Sequence, residues 1–236
     1  MPSIDIICLA NSKKYQGRCI AGLRTDGGGW VRPVAPGGNG ALHPGQYILS
    51  NDTQPELLDV IRVGTACPQP APHQPENWLV DRTRWELLAR PALAEHGALL
   101  QAACVSGPAL FGNCGDRVNY GALKLGLAGA SLALVIPETL CWNIGTNSRG
   151  GRQAKAGFTL CGAAYNLSVT DPVWLSRLDG LPVGRHPASA AGIAPGEHVL
   201  FMVSLGEPTT WDNCCYKLVA AVLITRHEEQ SSWHIT

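Results

Sequence analysis

IDIICLA (residues 4–10), RCIAGLRT (18–25) and WVRPV (30–34) decide the class of fold. Each run is apolar and rich in β-branched residues. Each is also too short for a helix that would stand alone, and Gly27, Gly28 and Gly29 separate the second from the third as a hairpin loop would. A three-stranded start is the reading. After a stretch rich in Gly, Pro and Asn (36–45) come QYILS (46–50) and LLDVIRV (57–63), again of strand length, so about five strands are expected before Pro68.

Pro68, Pro70, Pro72 and Pro75 follow. Proline donates no backbone hydrogen bond, so this stretch can be neither regular helix nor central strand, and it predicts an extended connector or rigid strap. Beyond it, Trp78, Trp85, Leu88, Leu99 and Leu100 recur among charged residues with helical spacing interrupted by Pro91, which predicts two short helices over 77–103. Residues 105–130 are glycine-rich and read as loop, apart from a turn of chain around 120–127. A second β series then runs through SLALVIPETLCWNI (131–144), AGFTLCGAAYNLSVTDP (156–172), HVLFMVSLGEP (198–208) and CYKLVAAVLIT (215–225). The expected organisation is a mainly β chain: a first small barrel over 1–67, a Pro-rich strap with a short α-helical insert over 68–130, and a second barrel over 131–236.

The bulk composition narrows the function classes. Lys+Arg and Asp+Glu are 18 each, giving a formal net charge of zero, which excludes a module that holds duplex DNA by neutralising many phosphates. Any nucleic-acid contact is therefore local. Residues 1–36 carry Lys13, Lys14, Arg18, Arg24 and Arg32 against Asp5 and Asp26, and a second basic group holds Arg149, Arg152 and Lys155. The nine cysteines are an odd, scattered set without a CxxC pair, so reduced thiols in a cytoplasmic protein are expected rather than a disulfide framework. The start MPSIDIICLANSKK lacks the long apolar core of a signal peptide, and no stretch approaches the roughly 20 apolar residues of a membrane helix, so no membrane partner is expected.

Motifs for catalysis are sparse. There is no βαβ alternation, GxGxxG or GxxxxGK[ST] loop, no HExxH among the seven histidines and no GxSxG elbow. Cys214 and Cys215 are adjacent and would point to opposite faces of a strand. Neither a metal nor another cofactor is expected. Cys19 beside Arg18 leaves a Cys/His nucleophile open.

The strings ICLANSKKYQGRCIAG (7–22), WVRPV, HQPENWLV (73–80), LSVTDP (167–172), VSLGEP (203–208) and CYKLVAAVL (215–223) together resemble the bacterial dual OB-fold domain family. The resemblance covers nearly the whole chain and is weakest over 92–130. It implies two OB-like barrels and a protein that binds single-stranded nucleic acid or nucleotide, often beside mobile-element or anti-phage genes. An OB barrel offers one sheet face and its loops to such a ligand, with rings for stacking and cations for the backbone.

Three groups of residues fit that template. Asn11, Ser12, Lys13, Lys14 and Arg18, with Trp30 and Arg32, place an amide, a hydroxyl, four cations and a ring in one hairpin unit; Pro33 limits where the Arg32 fork can point. The same residues also suit an exposed strand rim with ordinary surface charges. In the second group, His73, Glu76 and Asn77 sit among prolines before Trp78. They form either an acid/base pair facing a cleft or, by the charge preference of a helix start, a cap. The third group is Ser204, Glu207, Tyr216 and Lys217, flanking the turn between the last two strands, where Tyr216 could stack a base and Lys217 meet a phosphate, or serve as core and solvent face respectively. Thr170, Asp171 and Pro172 read as a strand-ending turn in which Asp171 bonds nearby backbone. The function expected is a non-catalytic nucleic-acid or nucleotide binding module, an accessory to a partner protein that supplies the chemistry of a defence or nucleic-acid-processing system. A small-molecule sensor or hydrolase-like enzyme with a cleft between the barrels is the alternative, and a protein-interaction scaffold the third.

Overall fold

The computed structural model describes residues 3–126, 129–148 and 150–225. The chain is mainly β, as expected. The first half contains β1 (Ser3–Lys14), β2 (Gly17–Arg24), β3 (Trp30–Val34), α1 (Pro44–Tyr47), β4 (Val60–Pro68), β5 (Asn77–Val80) and β6 (Glu86–Ala89). Its sheet runs β1-β2-β3-β5-β4 and returns to β1, because residues 3–7 of β1 pair with β4 while residues 6–14 pair with β2. This closes a five-strand barrel. The register of β1 on β2 skips between Cys8 and Ala10, an extra residue that lets the long strand coil from one neighbour to the other. Gly22 permits the tight crossing, since a Cβ there would lie 2.0 Å from the Ile7 carbonyl oxygen.

Two sequence expectations need correction here. QYILS is not a strand; α1 ends at Tyr47, and Tyr47 and Leu49 drop into the barrel core. Asn77–Val80 and Glu86–Ala89 are strands rather than the first of two short helices. β5 is what closes the barrel by pairing parallel to β3, and that pairing overrides the helical spacing of the tryptophans. The Pro-rich stretch is accordingly the β4–β5 connection inside the first barrel. Only the later part of the insert is helical, a 3-10 turn (Leu93–His96) and α2 (Gly97–Ala102).

The second half contains β7 (Arg117–Asn119), α3 (Tyr120–Lys124), β8 (Leu132–Val135), β9 (Thr139–Thr146), β10 (Arg152–Leu160), β11 (Ala163–Val169), α4 (Pro172–Leu178), β12 (Gly184–Pro187), β13 (His198–Pro208) and β14 (Cys214–Thr225). The segment β9-β10-β11-α4-β13-β14 repeats the path of the first barrel: a meander, a helix, and two strands of which the last lies parallel to the third. Here β12 pairs with β9 and β8 with β13, so the curved sheet is extended at both edges instead of being closed strand to strand. Phe158, Tyr165, Trp142 and Phe201 stack and pack edge to face in its core.

A third core lies between the halves. In β1, Ile4, Ile6 and Cys8 fill the barrel, while Ile7 and Leu9 face outward onto Leu132 and Leu134 of β8, Leu200 and Met202 of β13, and Ala221 and Leu223 of β14. Leu93 and Leu100 of the insert complete that core. The continuous apolar runs IICLA (6–10), LALV (132–135) and VLFMV (199–203) therefore have one cause: each strand is buried on both faces, which removes the polar alternation of a half-exposed strand. Backbone also bridges the seam, where the Lys13 N–H donates to the Thr170 carbonyl at 3.1 Å.

Asp171 fixes the helix of the second half, as its turn-forming sequence foretold. Its Oδ1 accepts from the Val173 and Trp174 N–H groups, and its Oδ2 from the Val222 N–H of β14 at 3.0 Å, so one buried carboxyl both caps α4 and ties it to the sheet. Burial raises its pKa against these bonds. Asp171→Ala removes the cap and leaves three N–H groups without this acceptor, and is expected to lower stability by about 2–4 kcal/mol in urea unfolding, with Asp171→Asn recovering part of the loss.

Candidate ligand-binding site

The parallel pairing of β3 with β5 sets Arg32 directly beside Asn77, and the Arg32 N–H donates to the Glu76 carbonyl at 2.9 Å. Both polar side chains then reach across the seam to one residue of the second half. Glu76 accepts from the Ser131 N–H at 2.5 Å and from the Ser131 hydroxyl at 2.7 Å, and the Arg32 guanidinium donates to that hydroxyl oxygen at 3.0 Å. Arg32 is only 1% exposed. A buried guanidinium engaged in the seam is not offered to a phosphate, so the expected ligand contact of Arg32 gives way to a structural one.

A second polar bridge crosses the seam nearby. Glu207, at the end of β13, accepts from Lys14 Nζ at 2.8 Å and from His73 Nε2 at 2.7 Å. Burial alone would push its carboxyl up, but the His73 and Lys14 hydrogen bonds outweigh it and hold the group at about 2. Gln74 adds a third link by donating from Nε2 to the Leu205 carbonyl at 3.1 Å. Three separated sequence strings, NSKK, HQPEN and GEP, therefore meet at one place.

The structure sorts the other candidates. Ser12, Lys13, Lys14, Glu207 and Tyr216 line a common cleft of about 270 Å³ between the halves, together with Tyr15, Ser204 and Thr209. Asn11 instead donates to the Pro55 carbonyl at 2.8 Å, and with Arg18 borders a different depression. Trp30 is half-buried against the core between the halves and Lys217 is 1% exposed, so neither is presented as expected. Lys217 Nζ donates to both the carbonyl and the side-chain oxygen of Asn113 and lies over the Tyr165 ring; burial lowers its pKa to about 8. His73 and Glu76 bind different partners and form no acid/base pair, and no helix begins at Asn77 for them to cap. In the second basic group, Arg152 donates to the Leu178 and Leu181 carbonyls; Arg149 lies outside the described residues. Among the described residues, no group of three or more His, Cys, Asp and Glu side chains could hold a metal ion, and no helix is long and apolar enough to cross a membrane.

Sequence reasoning missed two exposed rings at this cleft. Tyr15, 64% exposed, occupies the two-residue turn between β1 and β2 with φ of 51°, a left-handed conformation uncommon for a large side chain. Trp211, 69% exposed, lies in the β13–β14 turn with its ring 6.4 Å from that of Tyr216. Tyr216 is itself held: its hydroxyl donates to Asp212 at 2.8 Å and accepts from Arg117, whose guanidinium sits 5.2 Å over the ring. Their turn positions were the available signal.

The family model for the dual OB-containing domain matches residues 4–222, and the chain belongs to that family. No curated protein matches the sequence. Among solved structures, a murine DNA binding protein bound with double-stranded DNA aligns over 96% of this chain and all of its own, at 7% identity and a TM-score of 0.35. The tetrameric p202 HIN2 aligns over 95% of this chain and 91% of its own, at 10% identity and a TM-score of 0.30.

The Glu207 bridge has a pH signature. A carboxyl held at about 2 in the native state and near 4.5 when unfolded contributes stability that is complete above pH 4.5 and is lost as pH falls toward 2. Wild type is therefore expected to exceed Glu207→Gln by about 1–3 kcal/mol at pH 7, and that advantage should shrink through the window from 4.5 to 2 in urea unfolding.

Proposed function

We propose that this protein is a non-catalytic module that binds single-stranded nucleic acid, or a nucleotide, in the cleft between its two halves. One observation carries the reading: Tyr15, Tyr216 and Trp211 stand at or beside a cleft that also holds Lys13, whose ammonium has no partner among the described residues. Rings with exposed faces accept any base by stacking, and a cation beside them meets the backbone phosphate. The Asp212 and Arg117 contacts immobilise Tyr216 before any ligand arrives, so its ordering does not count against binding. Of the lining hydroxyls, Ser12 already donates to the Cys19 carbonyl and Thr209 to Asp212, which leaves Ser204 as the neutral donor.

The neutral overall charge supports modest affinity with a shallow salt dependence, since few phosphates would be neutralised. A cytoplasmic setting agrees with the odd, unpaired cysteine usage. Such a module acts beside a protein that supplies the chemistry, and the family resemblance supports a place in a bacterial defence or nucleic-acid-processing system.

Titration of fluorescently labelled oligo-dT and oligo-U at low salt is expected to show binding by anisotropy, and Tyr15→Ala or Trp211→Ala should each weaken it by about 5- to 100-fold, the worth of one stacked base. Lys13→Ala should weaken it less and flatten the salt dependence. Absence of any binding at micromolar protein and low salt, or equal binding by all three variants, rejects the reading.

A further inference from the structure

Across the Lys14–Glu207–His73 bridge from the aromatic cleft lies another depression, of about 280 Å³, walled by the loop from Gly37 to Gly40, by Ala71, and by His73, Asn77 and Glu207. The direction of every hydrogen bond along its floor follows from one fixed point. The Leu205 carbonyl can only accept, so Gln74 turns Nε2 to it and Oε1 toward Asn77. That oxygen also can only accept, so Asn77 gives it Nδ2 at 3.3 Å, and Oδ1 is what Asn77 has left. The same reasoning applies to His73. Ionised Glu207 can only accept, so Nε2 of the ring carries the hydrogen, and in the tautomer that places it there Nδ1 is the acceptor.

Asn77 Oδ1 and His73 Nδ1 are both buried without a hydrogen-bond partner among the described residues, in side chains of residues only 8% exposed. Buried acceptors are ordinarily paired, and two such lapses in residues that line one depression call for a donor from outside the chain. Among the described residues no lysine or arginine lines it, and Lys14 beside its Gly40 wall is already paired with Glu207, which disfavours an anionic group. Gly37 and Gly38 have φ of 77° and 58°, and a Cβ at either would meet nothing within 4 Å, so this wall is bare backbone against which a flat ring can lie.

We propose that this depression binds a planar group presenting adjacent N–H donors, the N–C–N edge shared by guanine and by a guanidinium, with Asn77 Oδ1 and His73 Nδ1 as its acceptors. Adenine and cytosine fit poorly, because each sets a ring-nitrogen acceptor beside its single amino donor. The site is separate from the aromatic cleft and does not depend on nucleic acid binding there.

Calorimetric titration of the full chain with guanosine, adenosine, cytidine and methylguanidine tests it. Guanosine, methylguanidine or both should bind at up to millimolar concentration, with adenosine and cytidine at least about tenfold weaker. Binding by guanosine alone identifies a nucleobase as the source of the edge, and binding by methylguanidine alone an arginine-like side chain. Asn77→Ala should weaken binding at least about tenfold. Ala71→Leu, which adds bulk at a lining position outside the hydrogen-bond chain, should do the same in a protein whose melting temperature is unchanged. Failure of both guanosine and methylguanidine to bind wild type overturns the proposal, as does equal binding of adenosine or binding that survives both substitutions.

Discussion

Burial of β1 on both of its faces is the constraint on which the rest of this structure depends. Its inner side chains, Ile4, Ile6 and Cys8, are the barrel core, and its outer ones, Ile7 and Leu9, are the floor on which the second half sits. Apolar surface on that outer face is stabilised only when β8, β13 and β14 cover it, at roughly 25 cal/mol for each square ångström removed from water. Once those strands are seated, the ends of β1 and β13 must converge, and Lys14 meets Glu207 there. The apolar contact supplies the energy and the polar bridges supply the register. Ser131, reached by both Glu76 and Arg32, fixes the halves where a purely apolar seam would tolerate sliding.

The strand content and the recurrence of one β pattern in two halves were legible because β-branched runs bounded by Gly and Pro have few other structures open to them. The β5 strand was not. NWLV carries no alternation, since Asn77 and Val80 are buried while Trp78 and Leu79 are half-buried, and its identity comes from parallel pairing with β3, which local sequence does not encode. The double burial of IICLA (6–10) was visible as a run without polar residues, but nothing local distinguishes a strand in a buried seam from one in a sandwich core.

The candidate site divides in the same way. Lys14, His73 and Glu207 were identifiable as chemistry-bearing residues in irregular or turn-adjacent sequence, and the fold brings them together. Arg32 and Lys217 were misread for one reason: a lone cation on a strand reads as solvent-facing, and only the tertiary structure provides Ser131 for one and Asn113 for the other. Tyr15 and Trp211 escaped notice because an exposed ring in a turn has no sequence pattern. Its exposure is a property of the finished surface. The seam thus holds the halves together inside, while rings and a lysine without a partner among the described residues stand at its rim.

The central claim is that the two halves form one fixed unit across this seam, and residue-resolved amide hydrogen exchange tests it most directly. The Ser131 N–H, bound to Glu76, and the Lys13 N–H, bound to the Thr170 carbonyl, both cross from one half to the other. The structure predicts that these two amides exchange as slowly as those of Ile6 and Phe201 in the cores of the two halves, opening only with global unfolding. Exchange of Ser131 and Lys13 at loop rates, while the cores of both halves stay protected, would contradict it.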